Sequence, residues 1–358
     1  LAPPGDAAHA QSAVAACFVW LAEVEATLTR FDAGSELCQL NANAGEWRPV
    51  SELLFTAVAQ ALMAARASDG LFDPTLLTRL ERLGYDRDYA AIARRESRSD
   101  GDDLAFSATR SPDPAHSPMA TDTASGGWRG VRLDIARRRI RLPHGCKLDL
   151  GGIAKGWAAD EALARCFAEY PNVIVDVGGD MRIRGAGDNG QGWPIGISAS
   201  REAARHPPPD QPVVALRAGG VATSGAQGRW WYHDGQRQRH LIDPRTGQSA
   251  HVWISDDRDP AADPRTLIAA ATALAPTAAH AEVAAKVALL RGYPQALRAV
   301  EAAWAEWVAR ADAGQTVAPY SDAGVALVLT LGTGEVAPSS NLGAYLETLG
   351  GGGEVWLS

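Results

Sequence analysis

The sequence predicts an α+β fold rather than a doubly wound parallel sheet. Strand-like runs outnumber the helical crossovers that parallel strands require. The one GxGxxG match, RGAGDNG at 184–190, runs into the strand-like QGWPIGIS instead of a helix, so it reads as a turn between strands and not as a dinucleotide loop.

Taken in order, QSAVAACFVWLAEVEATLTR (11–30) and LLFTAVAQALMAARASDG (53–70) carry apolar residues at helical spacing, the second ending at Gly70. The polar segment between them, with its Asn and Gly, reads as turns. From about Asp86 to Gly127 the chain is rich in Ser, Asp, Pro and Arg and reads as an insertion, dispensable for ligand binding because it cannot build a core. VRLDIARRRIRLP is then expected as a hairpin and CKLDL as a strand feeding a helix from about Trp157. NVIVDVGG, WPIGIS and VVALRAGGVATSG read as strands, and RWWYHDGQRQRHLIDPRTG as a tryptophan-containing hairpin. The strand TLIAAATALAPT, the helices AAHAEVAAKVALLRG and PQALRAVEAAWAEWVARADAG, and the strand GVALVLTL complete the order.

A chain of 358 residues with 46% hydrophobic and 21% charged residues is of ordinary globular composition. Its net charge of −8 argues against a nucleic-acid binder, which needs a basic face. No uninterrupted apolar run approaches the ~20 residues of a membrane span. Neither a signal peptide nor a lipobox is recognisable, so the compartment is left open. The four cysteines lie far apart without a CxxC pair, which disfavours a zinc or dithiol site and predicts free thiols.

The chain has 31 arginines and three lysines, Lys147, Lys155 and Lys286. A retained lysine offers a compact point charge that a guanidinium cannot. Lys155 lies in GGIAKG, which lacks the Walker A spacing yet combines flexible backbone, a helix start and an ammonium, all suited to an anion. HLIDPRTG joins a histidine, a residue type whose unperturbed pKa lies near neutrality, to an Asx-type turn. Taken singly, each of these segments also reads as ordinary turn chemistry.

Together, SELCQLN (35–41), DGLFDPT (69–75), LDLGGIAKGWAAD (148–160), DVGGDMRIRG (176–185), ATSG (222–225) and HLIDPRTG (240–247) resemble, in order and approximate spacing, the ApbE-like family of FAD:protein FMN transferases. The resemblance covers nearly the whole chain, apart from the insertion and a first strand. It implies a single domain over 1–358 with a two-lobed, T-fold-related architecture of mixed and antiparallel sheets and an FAD cleft between the lobes. It also implies transfer of FMN from FAD to a threonine or serine hydroxyl of an acceptor flavoprotein, with release of AMP. The acceptor and the oligomeric state are not assigned by it.

Residue by residue, the resemblance places Ser35, Glu36, Asn41, Asp69, Phe72, Asp73, Thr75, Asp180, Ser224 and Gly225 around the flavin nucleotide. Lys155 would sit near its phosphates, and His240 and Asp243 beside the reacting pyrophosphate, with His240 the candidate base. Ala154 would turn a backbone carbonyl to Mg²⁺. The family's other metal ligands, an Asp and a Thr four residues on, correspond here to Glu282 and Lys286. An ammonium cannot ligate a metal. Either Glu282 still serves an ion or Lys286 replaces it, which leaves weak transfer, FAD hydrolysis or FAD binding alone as alternatives to transfer.

Overall fold

The computed structural model describes residues 7–92, 127–188, 190–225, 230–250, 265, 267–312 and 319–348. At its centre six strands lie side by side in chain order: Val173–Val177, Asp180–Arg184, Ala218–Gly225, Ile268–Ala275, Ala326–Leu331 and Val336–Pro338. Every neighbouring pair is antiparallel. The α+β expectation is therefore met.

Ile268–Ala275 is buried at all of its positions. Its pleat sends Ala271, Ala273 and Ala275 toward the helix Ala278–Arg291, and Leu274 toward Ile183, Val328, Tyr345 and Leu346 on the opposite face. A strand buried on both faces reads as continuously apolar, as IAAATALA does. Small residues bring helix and sheet close. A Cβ on Gly220 would lie 2.3 Å from Ala278 N, and one on Gly156 would lie 2.4 Å from the Ala278 carbonyl oxygen. The start of Ala278–Arg291 is thus wedged between the sheet and the helix Ala154–Cys166.

Ala154–Cys166 in turn packs on Ala7–Leu28, where Trp20 and Trp157 meet edge to face at 6.0 Å. Ala7–Leu28 is the one helix among the described residues with the length and apolarity that a membrane crossing needs. It buries Cys17, Trp20, Val24 and Leu28 in the protein core and exposes Phe18 and Val19. All four cysteines are free, with Cys17 and Cys146 buried.

Several elements differ from the sequence expectation. SELCQLN forms most of the helix Glu36–Ala42, with Ser35 as its N-cap accepting from Cys38 N–H. CKLDL joins no sheet: Lys147 makes one bridge to Leu76, and the Asn41 side chain completes the hydrogen bonds of Leu148. The helix expected from Trp157 begins at Ala154. VVALRAGGVATSG divides into Val213–Leu216, paired with Trp193–Gly196, and the central strand Ala218–Gly225. Asp180–Arg184, Val336–Pro338 and the helix Leu342–Thr348 are additional elements. Of the expected insertion at 86–127, residues 93–126 lie outside the described residues.

Candidate active site

Local backbone chemistry builds the site from the glycine-rich segment outward. Asn41, buried, donates to the Leu148 carbonyl at 2.9 Å and accepts from Leu148 N–H at 2.8 Å, so one side chain stands in for a strand partner. Asp149 N–H donates to the Pro74 carbonyl at 2.8 Å. These bonds tie LDLGG to SELCQLN and to DGLFDPT, and the chain then turns directly into Ala154–Cys166.

Behind that turn lies an alternating row of charges. Lys155 pairs with the buried Asp180, and its Nζ lies 3.1 Å from Glu282 Oε1. Lys286 Nζ lies 3.0 Å from the same oxygen. Glu282 Oε2 accepts from Gly156 N–H at 2.9 Å. Burial opposes the charge of Glu282, but Lys286, Lys155 and the Gly156 N–H outweigh it and hold the carboxyl below its usual range. Asp160, also from the glycine-rich motif, accepts from Ala278 and Ala279 N–H with its two oxygens and faces Arg182 at 3.2 Å. It caps the helix that carries Glu282. Burial raises its pKa to about 6 against those donors.

In front of the row opens a cleft of about 240 Å³, lined among others by Phe72, Asp73, Ala154, His240 and Lys286. On the same cleft wall the Arg30 guanidinium lies against the rings of both Phe31 and Tyr85, 4.3 and 4.4 Å from their centroids, and pairs with Asp149 at 3.2 Å. A larger depression of about 1040 Å³ shares Leu71, Asp73 and Leu76 with the first and adds Asp69, Thr75, Arg79, Arg129 and Arg245. Asp73 Oδ1 accepts from both the N–H and the hydroxyl of Thr75. Burial raises the Asp73 pKa, while Thr75 and Arg129 oppose it.

The structure thus brings Phe72, Asp73, Ala154, His240 and Lys286 to one cleft, with Lys155, Asp180 and Glu282 behind it, and puts Asp69 and Thr75 on the adjoining depression. Ser35, Glu36 and Asn41 line neither. Ser35 caps a helix, Glu36 accepts from the Ser51 N–H and hydroxyl, and Asn41 fixes Leu148. Asp243 forms a two-pronged pair with Arg245, which also donates to the Leu290 carbonyl. Ser224 and Gly225 end a central strand opposite Ala271 and Ala270. Sequence reading assigned no role to Arg30, Asp149 or Asp160. The two aspartates lay within a quoted motif, whereas the Arg30 stack depends on Tyr85, distant in sequence.

The donor set does not suit a divalent ion. Glu282 Oε1 already contacts two ammonium groups and Oε2 an N–H, and the side chain one turn further on has no lone pair. No group of three or more His, Cys, Asp or Glu side chains gathers among the described residues.

A sequentially ordered antiparallel sheet, with helices packed on it and a lysine–carboxylate row behind a cleft, defines an α+β protein with cationic groups at the cleft wall. It superposes on the Thermotoga maritima ApbE protein with a TM-score of 0.64 at 24% identity, covering 94% of this chain and 91% of the other. It superposes on the Pseudomonas stutzeri flavinyl transferase ApbE with a TM-score of 0.64 at 21% identity, covering 94% and 88%. The sequence model of the ApbE family matches residues 6–308, and the chain belongs to that family. A relative from Treponema pallidum named FAD:protein FMN transferase is 32% identical over 260 residues, 69% of this chain and 66% of the relative. One of the same name from Salmonella typhimurium is 30% identical over 210 residues, 56% of this chain and 52% of the relative. Alignment with these curated relatives therefore spans less than two thirds of their length.

Proposed function

We propose that this chain is a single-domain FAD:protein FMN transferase whose cleft holds FAD and whose partner is an acceptor flavoprotein with a Ser or Thr flavinylation site. The reading rests on the family and on one observation, that His240, Lys286 and Ala154 line the same cleft in front of the Lys155–Glu282 pair. In the reaction the acceptor hydroxyl oxygen bonds to the FMN phosphorus, the bond from that phosphorus to the AMP oxygen breaks, and AMP leaves. His240 takes the hydroxyl proton. Lys286 and Lys155 stabilise charge that develops on the pyrophosphate oxygens, the role such sites give to fixed cations. Phe72 offers an apolar wall, and Asp73 with Thr75 fixes the loop beside it. Ser35, Glu36, Asn41, Asp180 and Asp243 act through the framework described above, and Ser224 and Gly225 border the ligand from the sheet.

A second reading, an FAD-binding protein with weak or no transfer, or an FAD pyrophosphatase in which water replaces the hydroxyl, is favoured by Lys286 at a metal-ligand position. Incubation with FAD and a threonine-containing acceptor separates them. Transfer adds the mass of FMN to the acceptor and releases AMP in equal amount. Hydrolysis releases AMP and free FMN, and simple binding releases neither.

A further inference from the structure

The unsuitability of the donor set for Mg²⁺ carries a positive consequence. We propose that Lys286 is a built-in cation for the diphosphate of the bound dinucleotide, so that this chain binds FAD without a divalent ion. The inference rests on the FAD reading above.

Position is the first argument. Lys286 lines the cleft with His240 and Ala154, and its side chain is 16% exposed, enough to reach a ligand while its stem stays buried. Gly152 packs beside that stem: a Cβ there would be in ordinary contact with Lys286 Cε and Cδ, at 3.6 and 3.7 Å, and would press on the Phe72 ring at 2.9 Å. The stem lies against the backbone of Gly152 and is largely buried, unlike that of a lysine waving in solvent.

Anchoring is the second. Nζ donates to Glu282 Oε1 at 3.0 Å and to the Glu282 carbonyl at 3.3 Å. An ammonium has three N–H donors, so this anchorage leaves one for a phosphate oxygen.

Charge is the third. Asp180, Lys155, Glu282 and Lys286 alternate in sign, and the row ends at the cleft on a positive group. A divalent ion placed against Glu282 would stand beside two ammoniums and be repelled by both, most strongly where water is excluded. The two carboxylates that face the same cleft are engaged elsewhere, Asp73 by Thr75 and Asp149 by Arg30. An i,i+4 ion pair serving only the helix would account for the contact with Glu282, but not for the place of Lys286 on the cleft wall with His240 and Ala154.

The test is titration of FAD, and separately of riboflavin, which lacks phosphate, by calorimetry in EDTA and in millimolar Mg²⁺. The unmodified protein should bind FAD with the same Kd in both media to within about threefold, and Mg²⁺ alone should give no binding heat. Lys286→Met should weaken FAD by about tenfold or more and leave riboflavin unchanged. Lys286→Thr combined with Glu282→Asp should make FAD affinity rise with Mg²⁺. FAD binding by the unmodified protein only with Mg²⁺, or an equal loss of FAD and riboflavin in Lys286→Met, would overturn the inference. Absence of FAD binding in every medium would instead remove the flavin reading, and the inference with it. Should the variants fail to fold, the EDTA and Mg²⁺ comparison on the unmodified protein decides alone.

Discussion

Lys155 and Lys286 share one carboxylate oxygen: their Nζ atoms lie 3.1 and 3.0 Å from Glu282 Oε1. Two ammoniums so close tolerate each other only because a fully charged, buried carboxylate stands between them. Glu282→Gln keeps the shape and an acceptor for the Gly156 N–H but removes that charge. Breaking a buried pair by removing one partner costs about 3 kcal/mol or more. Urea unfolding at neutral pH should show a loss of that order, and a loss below about 1 kcal/mol would mean that the lysines turn out to solvent instead.

Asn41 should matter for a different reason. Both of its hydrogen bonds go to the backbone of Leu148, which is buried and has no strand partner. Asn41→Ala leaves an N–H and a C=O unsatisfied, each costing about 1–3 kcal/mol. The expected loss is about 3 kcal/mol in chemical denaturation, with weakened FAD binding because Leu148 positions the turn before Lys155. Asn41→Asp restores only the acceptor and should recover part of the stability.

Those two residues also mark what the sequence could reveal. The glycine-rich turns were legible because turn chemistry is local: Gly70 at the end of Glu52–Ala67 and Gly292 after Ala278–Arg291 both have positive φ. The i,i+4 relation of Glu282 and Lys286 was legible for the same reason. The approach of Lys155 to Glu282 was not, since it follows from Gly156 and Gly220 letting a distant helix come close. CKLDL had the composition of a strand, but Asn41 satisfies its backbone from the side, and no pattern in the segment announces that. Glu36–Ala42 is too short to display a period, so only its Ser35 cap could have signalled a helix.

His240 lines the cleft beside Lys286 and Ala154. If it receives the acceptor proton, His240→Ala should leave the Kd for FAD within about threefold and slow AMP release by roughly 100- to 10,000-fold. Single-turnover release of AMP, measured beside FAD titration, separates the two effects. Loss of FAD binding with unchanged turnover per bound flavin would make His240 a binding residue.

The last prediction concerns acid stability and rests on His280, outside the cleft. Its ring is buried, lies 5.6 Å from that of Tyr320, and places Nε2 2.7 Å from the Ser321 carbonyl oxygen. A carbonyl only accepts, so Nε2 carries the proton of the neutral ring. Burial lowers the pKa to about 4, against the opposing pull of Ser321 and Asp322. An unfolded histidine titrates near 6.5, so between pH 6.5 and 4 the unfolded chain binds the extra proton. Stability from His280 is therefore fully present above 6.5 and is lost as pH falls toward 4. Linkage sets the loss at about 2 kcal/mol between pH 7 and 5 and about 3 kcal/mol by pH 4. Asp160 acts in the opposite sense: with its pKa raised to about 6, its contribution is present below the unfolded value and is lost as pH rises through 6. The two overlap, so the unmodified protein alone will show a flattened profile. His280→Gln can still donate to Ser321 but does not titrate. Urea unfolding of both proteins at pH 7 and pH 5 should therefore give a difference in stability that shifts by about 2 kcal/mol in favour of the variant on acidification. A shift near zero would mean that His280 takes up its proton inside the folded protein as readily as outside it.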